Sequence, residues 1–182
     1  EGFLQQQNTL RDALVAGINL NIFNNHADRI SMANVAQIVN VLQSVIRTNG
    51  AQMVKTPTYY AFQLYNVHQD AQLIPTTLET ENYEFDGESI PGLTASASEK
   101  DGMVNITITN ANPDEAMPLN FDLGKSFKNI SGKIVSANKI TDYNDFGKKE
   151  KVMIQDFDVA KAKGNNLSVE IPPHSIVLVQ LQ

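Results

Sequence analysis

The feature that most limits the fold is a period-two alternation of apolar and polar residues in the C-terminal part of the chain. It occurs in "MVNITITN" (103–110), "MPLNFDL" (117–123) and "LSVEI" (167–171). This pattern predicts strands with one buried face, and the Gly, Pro, Asn and Asp residues between them predict turns. The closing "SIVLVQL" is apolar on both sides and predicts a central strand. We therefore expect a mainly β chain, with residues 71–182 forming an antiparallel, jelly-roll-like β-sandwich.

A helix is predicted near the N-terminus, over residues 9–23. Leu10, Leu14 and Ile18 recur there at four-residue steps and form one apolar stripe. Asp12 falls in the first turn, where the helix dipole favours a negative charge.

A strand and a second helix are predicted to follow. "RISMA" (29–33) is typical of a short buried strand that ends near Asn34, and a turn or a helix fits the residues after it. "TPTYYAFQLYNVHQ" (56–69) predicts a helix, because Thr56 is a good N-cap and Pro57 suits the first helical position.

Two helices and one strand cannot enclose a core, and a lone strand leaves its backbone groups unpaired. Residues 1–70 are therefore interpreted as the end of an α/β repeat whose earlier units lie outside this chain. We expect an exposed apolar surface along Leu10, Leu14, Ile18 and Ile22, where those units would pack.

Composition excludes several functions. The net charge of −6 argues against nucleic-acid binding, and the basic stretch "GKKEK" (147–151) is interrupted by Glu150. With no cysteine, disulfides and thiol chemistry are excluded, although the compartment stays open between cytoplasm and periplasm or the outside. No segment approaches the roughly 18 apolar residues of a membrane span, so we expect no membrane partner.

The sequence predicts no metal site and no cofactor. His26 and His68 each precede an aspartate by two residues, but the three histidines give no zinc pattern. "DYNDFG" (142–147) is similar to the start of a calcium loop, yet Phe146 occupies a ligand position.

A family resemblance is carried by "QQNTLRDALVAGINLNIFNNHADRISMANVAQIVNVLQSVI" and by "MVKTPTYYAFQLYNVHQDAQLIP". Both stretches resemble the C-terminal part of the α-L-arabinofuranosidases of glycoside hydrolase family 51. "SGKIVSANKITDYNDF" and "IPPHSIVLVQL" continue the match over the rest of the chain. The resemblance implies a (β/α)₈ barrel followed by a β-sandwich, with Arg29–Asn34 as the eighth barrel strand and residues 1–70 as the end of the barrel.

The resemblance also implies one substrate-binding residue, Gln37 in the motif "MANVAQ". Active sites of such barrels form at the C-terminal ends of the strands, and an amide can both donate to and accept from a sugar. The alternative is that Gln37 satisfies only backbone groups. For Asn34 and Asn40 we expect that purely structural role.

Catalysis by a retaining glycosidase needs two carboxylates about 5–5.5 Å apart. In this family both are glutamates in motifs that precede residue 1, and Glu1 matches neither motif. We therefore assign no catalytic residue and expect the isolated chain to be inactive. The acidic residues between Glu79 and Glu88 are interpreted as a solvated loop leading into the sandwich.

The implied parent enzyme hydrolyses terminal non-reducing α-L-arabinofuranosyl residues of arabinan or arabinoxylan. Its implied partners are an arabinofuranosyl-containing oligosaccharide, the missing N-terminal barrel portion and further copies of itself in a homo-oligomer. The alternative function is a stand-alone carbohydrate-binding or assembly module. Between residues 90 and 182 the chain has only five aromatic residues and no Trp, which favours a packing role over sugar stacking.

Overall fold

The computed structural model describes residues 6–35, 38–159 and 164–182. It has two α-helices and a short 3₁₀-helix: α1 (Leu10–Asn25), α2 (Pro57–Tyr65) and Asn66–His68. The first five strands along the chain are β1 (Ile46–Asn49), β2 (Gln52–Lys55), β3 (Gln72–Ile74), β4 (Asn82–Phe85) and β5 (Glu88–Pro91). The remaining strands are β6 (Leu93–Lys100), β7 (Met103–Asn110), β8 (Met117–Asp122), β9 (Ile130–Ser136), β10 (Met153–Phe157), β11 (Asn166–Ile171) and β12 (Ser175–Leu181).

The centre of the molecule is a six-stranded antiparallel sheet in the order β10-β9-β12-β7-β6-β3. The predicted alternating strands are present, and the apolar strand β12 lies between β9 and β7, as expected for a central strand. Its side chains face two ways: Val177 and Val179 enter one core, while Ile176 and Leu178 enter another. This explains why both sides of that stretch are apolar.

The β8–β11 ribbon packs over one face of this sheet and completes an antiparallel sandwich. Apolar residues of both sheets form the first core, among them Leu93, Ile106, Ile108, Leu119, Leu167, Val169, Ile171, Val177, Val179 and Leu181. The mainly β fold class is therefore confirmed.

Both helices pack on the opposite face of the six-stranded sheet. The second core combines helical and strand residues: Leu10, Ala13, Leu14, Leu20, Tyr60, Ala61, Leu64, Tyr65, Val135, Val152, Ile176 and Leu178. The molecule thus has three layers, namely helices, sheet and ribbon. The assignment of residues 1–70 to the end of a barrel remains a prediction.

The helix starts agree with the sequence signals. Thr9 is the N-cap of α1, and the Asp12 carboxylate accepts hydrogen bonds from the Thr9 backbone N–H at 2.7 Å and from its hydroxyl at 3.0 Å. α2 begins at Pro57 directly after Thr56, as predicted. The Thr56 hydroxyl donates to the Ser44 carbonyl at 2.8 Å and ties the helix start to the preceding loop.

The strand predicted at Arg29–Asn34 is not formed, which corrects that expectation. Arg29 lies in a turn, and residues 30–35 have no regular secondary structure. The described residues that follow form turns and the β1–β2 hairpin, so the helical alternative there is also wrong. The physical reason is that a strand exists only beside another strand, and no described residue pairs with 30–35.

The predicted exposed surface on α1 also needs correction. Leu10 is 0% exposed and Leu14 is 3% exposed, because both pack into the core between the helices and the sheet. Ile18 is half-buried, whereas Ile22 and Val15 are 45% and 51% exposed. The exposed apolar residues of α1 are therefore Val15 and Ile22, whereas Leu10 and Leu14 are buried.

Within residues 6–35, 38–159 and 164–182, neither α-helix combines the length and the hydrophobicity that a membrane-spanning helix needs.

Candidate functional site

The predicted substrate-binding residue, Gln37, lies outside the described residues, as does Ala36. The structure therefore does not test its role. The segments on either side of it border a groove of about 450 Å³ beside α2. The groove is lined by Ala33, Asn34, Val35, Ile38, Val45, Tyr59, Phe62, Gln63 and Asn66.

The other two amides of this region have different surroundings. Asn40, with a positive φ of 59°, bonds to Thr48 twice: its Nδ2 donates to the threonine hydroxyl and its Oδ1 accepts from the backbone N–H, both at 2.7 Å. This is the structural role expected for Asn40. Asn34 is exposed and lines the groove, so it is available to a ligand or a neighbouring segment.

The acidic segment between Glu79 and Glu88 is a hairpin and not the loop that the sequence predicts. β4 and β5 pair with each other, and Asp86 and Gly87 form the turn with positive φ values of 49° and 83°. Phe85 at the tip is 70% exposed. The acidic residues of this hairpin are exposed to solvent.

The 142–152 loop is held in place by hydrogen bonds of the Asn144 side chain. Asn144 is 2% exposed; its Oδ1 accepts from the backbone N–H groups of Lys151 and Val152, both at 2.9 Å, and its Nδ2 donates to the Lys55 carbonyl at 3.0 Å. Lys151 and a neighbouring backbone N–H hold the pKa of Asp142 below its usual value. Within 6–35, 38–159 and 164–182, no group of three His, Asp or Glu residues could hold a metal ion.

A buried polar layer between the helices and the sheet is the main feature that the sequence did not reveal. Asn21 of α1 accepts hydrogen bonds from the hydroxyls of Ser96 and Thr107, both at 2.9 Å. The Tyr65 hydroxyl donates to the Gly17 carbonyl at 3.0 Å. In the sequence, this layer corresponds to the alternating Ser and Thr residues of β6 and β7. Such alternation alone predicts that the polar side of the sheet faces solvent. Here that side faces the helices.

His68, at the end of the 3₁₀-helix, belongs to the same layer. Its Nδ1 lies 2.7 Å from the Ser98 hydroxyl oxygen and its Nε2 lies 2.9 Å from that of Thr107. Burial lowers the pKa of His68 from 6.5 to about 4. The imidazole is therefore neutral at physiological pH, and its role is to join the helices to the sheet.

A second, larger cleft of about 740 Å³ is lined by residues of β6, β7 and β8 and by the segments 74–79 and 121–127. Its floor is apolar and includes Ala95 and Ile106, and its rim carries Glu99, Asp122 and Lys125. The half-buried rings of its wall, Phe121 and Phe127, pack against the first core.

Comparison with known proteins supports the sequence resemblance. Residues 1–175 match the family model of the α-L-arabinofuranosidase C-terminal domain. The chain is 45% identical over its full length to an "Intracellular exo-alpha-L-arabinofuranosidase" of Bacteroides ovatus, but covers only 36% of that protein.

Solved structures have the same fold. A GH51 arabinofuranosidase from Xanthomonas axonopodis pv. citri superposes with a TM-score of 0.95 at 42% identity, over 99% of this chain and 37% of that one. An α-L-arabinofuranosidase from Thermotoga maritima, solved as an arabinose complex, gives a TM-score of 0.81 at 22% identity, over 97% of this chain and 39% of that one. The chain therefore spans somewhat more than a third of the length of each of these relatives.

Proposed function

Because the chain belongs to the α-L-arabinofuranosidase C-terminal domain family, we propose that it is the C-terminal part of a retaining α-L-arabinofuranosidase. The parent reaction is hydrolysis of terminal non-reducing α-L-arabinofuranosyl residues of arabinan or arabinoxylan. The observation that carries this proposal is 45% identity over the whole chain to a protein named for that activity. The family predicted from the sequence, glycoside hydrolase family 51, is confirmed.

The chemistry of the reaction requires a partner segment. Retaining hydrolysis uses one carboxylic acid as acid/base and a second carboxylate as nucleophile. The family motifs that carry both glutamates match nothing in residues 1–182. The proposed partner is the N-terminal barrel portion of the same enzyme, which in this proposal carries the catalytic pair. The lengths of the relatives support it, since this chain covers only 36% and 37% of two of them.

The proposed contribution of this chain to the active site is Gln37. An amide can donate to one sugar hydroxyl and accept from another. The open groove and the exposed Asn34 beside this position support the proposal, since they leave room for a ligand or for the rest of the active site.

The alternative function, a stand-alone carbohydrate-binding or assembly module, receives less support. Phe121, Phe127 and Phe157 all pack against the core of the sandwich and do not form an exposed platform for sugars.

The family resemblance also supports homo-oligomeric assembly of the parent enzyme. The relative from Bacteroides ovatus is named intracellular, which favours the cytoplasm among the compartments that the sequence leaves open.

The test is turnover of an aryl α-L-arabinofuranoside. We expect none from the 182-residue chain alone, with intact-mass analysis excluding a longer polypeptide in the sample. We expect turnover from a fusion in which the part of the Bacteroides ovatus enzyme that precedes the matched region is joined to residue 1. A fusion that folds but stays inactive, or turnover by the chain alone, would contradict the proposal.

Gln37 is tested in the same fusion. Gln37→Ala should lower kcat/KM by about 10–100-fold, because a hydrogen bond to the sugar is lost in the transition state. The control is Gln52→Ala, an exposed amide at the start of β2. Equal kinetics for the two variants would show that Gln37 has only a structural role.

A further inference from the structure

The half-buried ring of His174 lies directly before the central strand β12, and both of its nitrogens contact backbone oxygens. Nδ1 is 2.6 Å from the carbonyl oxygen of Pro113, in the loop between β7 and β8. Nε2 is 3.0 Å from the carbonyl oxygen of Ala137, directly after β9. Since β12 lies between β7 and β9, the ring joins loops on both sides of that strand. We call these three residues the His174 pin.

Both partners of the ring can only accept hydrogen bonds. A backbone carbonyl has lone pairs and no proton, whereas a neutral imidazole has one N–H and one bare nitrogen. In the neutral form, the lone pair of one nitrogen would therefore face a carbonyl oxygen at 2.6 or 3.0 Å, which is repulsive. In the imidazolium form both nitrogens donate, and both contacts become charge-assisted hydrogen bonds, which are shorter and stronger than neutral ones.

The opposite orientation of the ring does not remove this conflict. A turn of the ring by 180° exchanges each nitrogen with a carbon, so the hydrogen-bond partners decide the orientation. The turned ring would place Cδ2 at about the same 2.6 Å from the Pro113 oxygen. That separation is well inside the roughly 3.3–3.6 Å of a C–H···O contact. The orientation with both nitrogens on carbonyls is therefore favoured, and it needs two protons on the ring.

The backbone at His174 is held in place independently of the ring. Its φ of 40° lies in the left-handed region, which a residue with a side chain adopts only where other contacts fix it. The backbone N–H of His174 donates to the Asn112 carbonyl at 2.9 Å. Asn110 Nδ2 donates to the carbonyls of Ile171 and Pro172 at 3.1 and 3.0 Å. These bonds keep the ring between its two carbonyls, so its protonation has to match the site.

The charged residues near the pin make no direct contact with the ring. Within five residues of Pro113 or Ala137, the two loops carry Asp114, Glu115, Lys139 and Asp142. Among residues 6–35, 38–159 and 164–182, none of these four forms a hydrogen bond or an ion pair with the imidazole. The two carboxylates of the first loop attract a positive ring weakly through solvent, and the second loop has one charge of each sign. The two carbonyls therefore provide the main stabilisation of the imidazolium.

The other two histidines have different surroundings. Both nitrogens of His68 face hydroxyls, which can donate as well as accept, so a neutral ring satisfies both contacts. His26 is exposed to solvent. The conflict between a neutral ring and two acceptors is thus specific to His174.

We propose that His174 is a proton-operated pin: its imidazolium ties the β7–β8 loop to the β9–β10 loop, and release of one proton to solvent breaks one of the two bonds. The β9–β10 loop also anchors α1, because the carbonyls of Ile140 and Asp142 accept from the backbone N–H groups of Arg11 at 3.0 Å and Leu10 at 2.9 Å. The pin thus connects the loop that leads into the ribbon strand β8 with the loop that holds the start of α1. This inference does not rest on the proposed function.

The sign of the pH dependence follows from these bonds. The folded chain binds a proton at His174 that the unfolded chain, with a solvated ring, binds less tightly. The contribution of the pin to stability is therefore fully present below about pH 6.5, where a solvated histidine is protonated as well, and is lost as the pH rises. Burial of His68 acts with the opposite sign, because it disfavours the imidazolium.

The first experiment is ¹⁵N NMR of the 182-residue chain labelled at its three histidines. Unfolded in urea at pH 6.5, the rings should be protonated in about half of the molecules. In the folded chain at the same pH, His174 should carry protons on both nitrogens in at least about nine-tenths of the molecules. His26→Asn and His68→Gln identify the signals, so the measurement does not depend on the folding of a His174 variant. A folded His174 ring no more protonated than in urea would overturn the proposal.

The second experiment measures how the proton contributes to stability. Between pH 5.5 and pH 8.5, the equilibrium constant for unfolding should rise about 10-fold more in the natural chain than in His174→Asn. Asparagine tolerates a left-handed backbone and does not titrate. The matched control, His26→Asn at an exposed position, should keep the pH dependence of the natural chain within about twofold. Equal pH dependence of the natural chain and His174→Asn, or a difference of the opposite sign, would refute the pin.

Discussion

Lowering the pH from 7.5 to 5 should weaken the contact between the helices and the sheet through a single residue, His68. The ring lies between the hydroxyls of Ser98 and Thr107, and burial lowers its pKa from 6.5 to about 4. The folded state thus disfavours the imidazolium. Between these two pKa values the unfolded chain binds a proton that the folded chain does not bind. Stability is therefore full above about pH 6.5 and decreases as the pH falls towards 4.

The size of the effect follows from the two pKa values. At pH 5 the unfolded imidazole is almost fully protonated, whereas the folded one is protonated in about a tenth of molecules. The resulting loss of unfolding free energy is at most about 2 kcal/mol relative to pH 7.5. The pKa of Asp142 is lowered as well, but a carboxylate of this kind titrates below the window and contributes little at pH 5.

The assay is urea denaturation followed by far-UV circular dichroism at both pH values, for the natural chain and for His68→Gln. Glutamine can donate and accept a hydrogen bond but does not titrate. The natural chain should lose about 2 kcal/mol more than the variant on going to pH 5. Other titrating groups are common to both proteins and cancel in this difference. An equal pH dependence of the two chains would refute the assigned role of His68.

Three further predictions concern stability of the chain at neutral pH, each measured by the same denaturation experiment. Asn21→Ala should lower the free energy of unfolding by about 2–3 kcal/mol, because two buried hydroxyls lose their acceptor. The exposed control on the same helix, Asn19→Ala, should lower it by less than about 0.5 kcal/mol. Similar losses in the two variants would argue against the polar layer. Gly17→Ala should destabilise the chain by about 1–3 kcal/mol, because the new Cβ would lie 2.6 Å from a threonine hydroxyl of the sheet. Alanine normally favours a helix over glycine. A stabilised variant would therefore show that α1 is not packed this closely against the sheet. Leu14→Ala should lower the free energy of unfolding by about 2–5 kcal/mol and Val15→Ala by less than about 0.5 kcal/mol, because only Leu14 is buried. A larger loss for Val15→Ala than for Leu14→Ala would reverse the assignment of the buried and exposed sides of α1.

Local signals explain most of what the sequence predicts correctly. The Thr56–Pro57 start of α2, the alternation in β7, β8 and β11 and the two-sided apolar pattern of β12 depend on the residues themselves and on their immediate neighbours. The structure reproduces each of them because tertiary contacts here reinforce the local preference.

Features that depend on distant segments could not be predicted in the same way. An apolar stretch such as Arg29–Asn34 becomes a strand only beside another strand, and none of the described residues provides one. Likewise, the spacing of Leu10 and Leu14 indicates an apolar stripe without saying which neighbour covers it. The hydroxyls of Thr107 and Thr109 alternate with apolar residues as on a solvent-facing side, yet a layer of helices buries them.

The candidate site was predicted mainly from the family resemblance. The position of Gln37 in the sequence does not distinguish a sugar-binding role from a backbone-capping role. The structural role of Asn40 follows from its contacts with Thr48. The catalytic carboxylates cannot be sought in the chain itself, because the proposed function places them upstream.

The central claim is that this chain completes an enzyme whose covalent chemistry occurs elsewhere in the polypeptide. The most direct measurement is to trap the glycosyl-enzyme in the fusion with a mechanism-based arabinofuranosyl inactivator and to locate the label by peptide mass spectrometry. A retaining mechanism forms such a covalent intermediate on a carboxylate. The account predicts one labelled glutamate in the segment that precedes residue 1 and no label within residues 1–182. A label on any residue of this chain, or labelling of the chain alone, would contradict it.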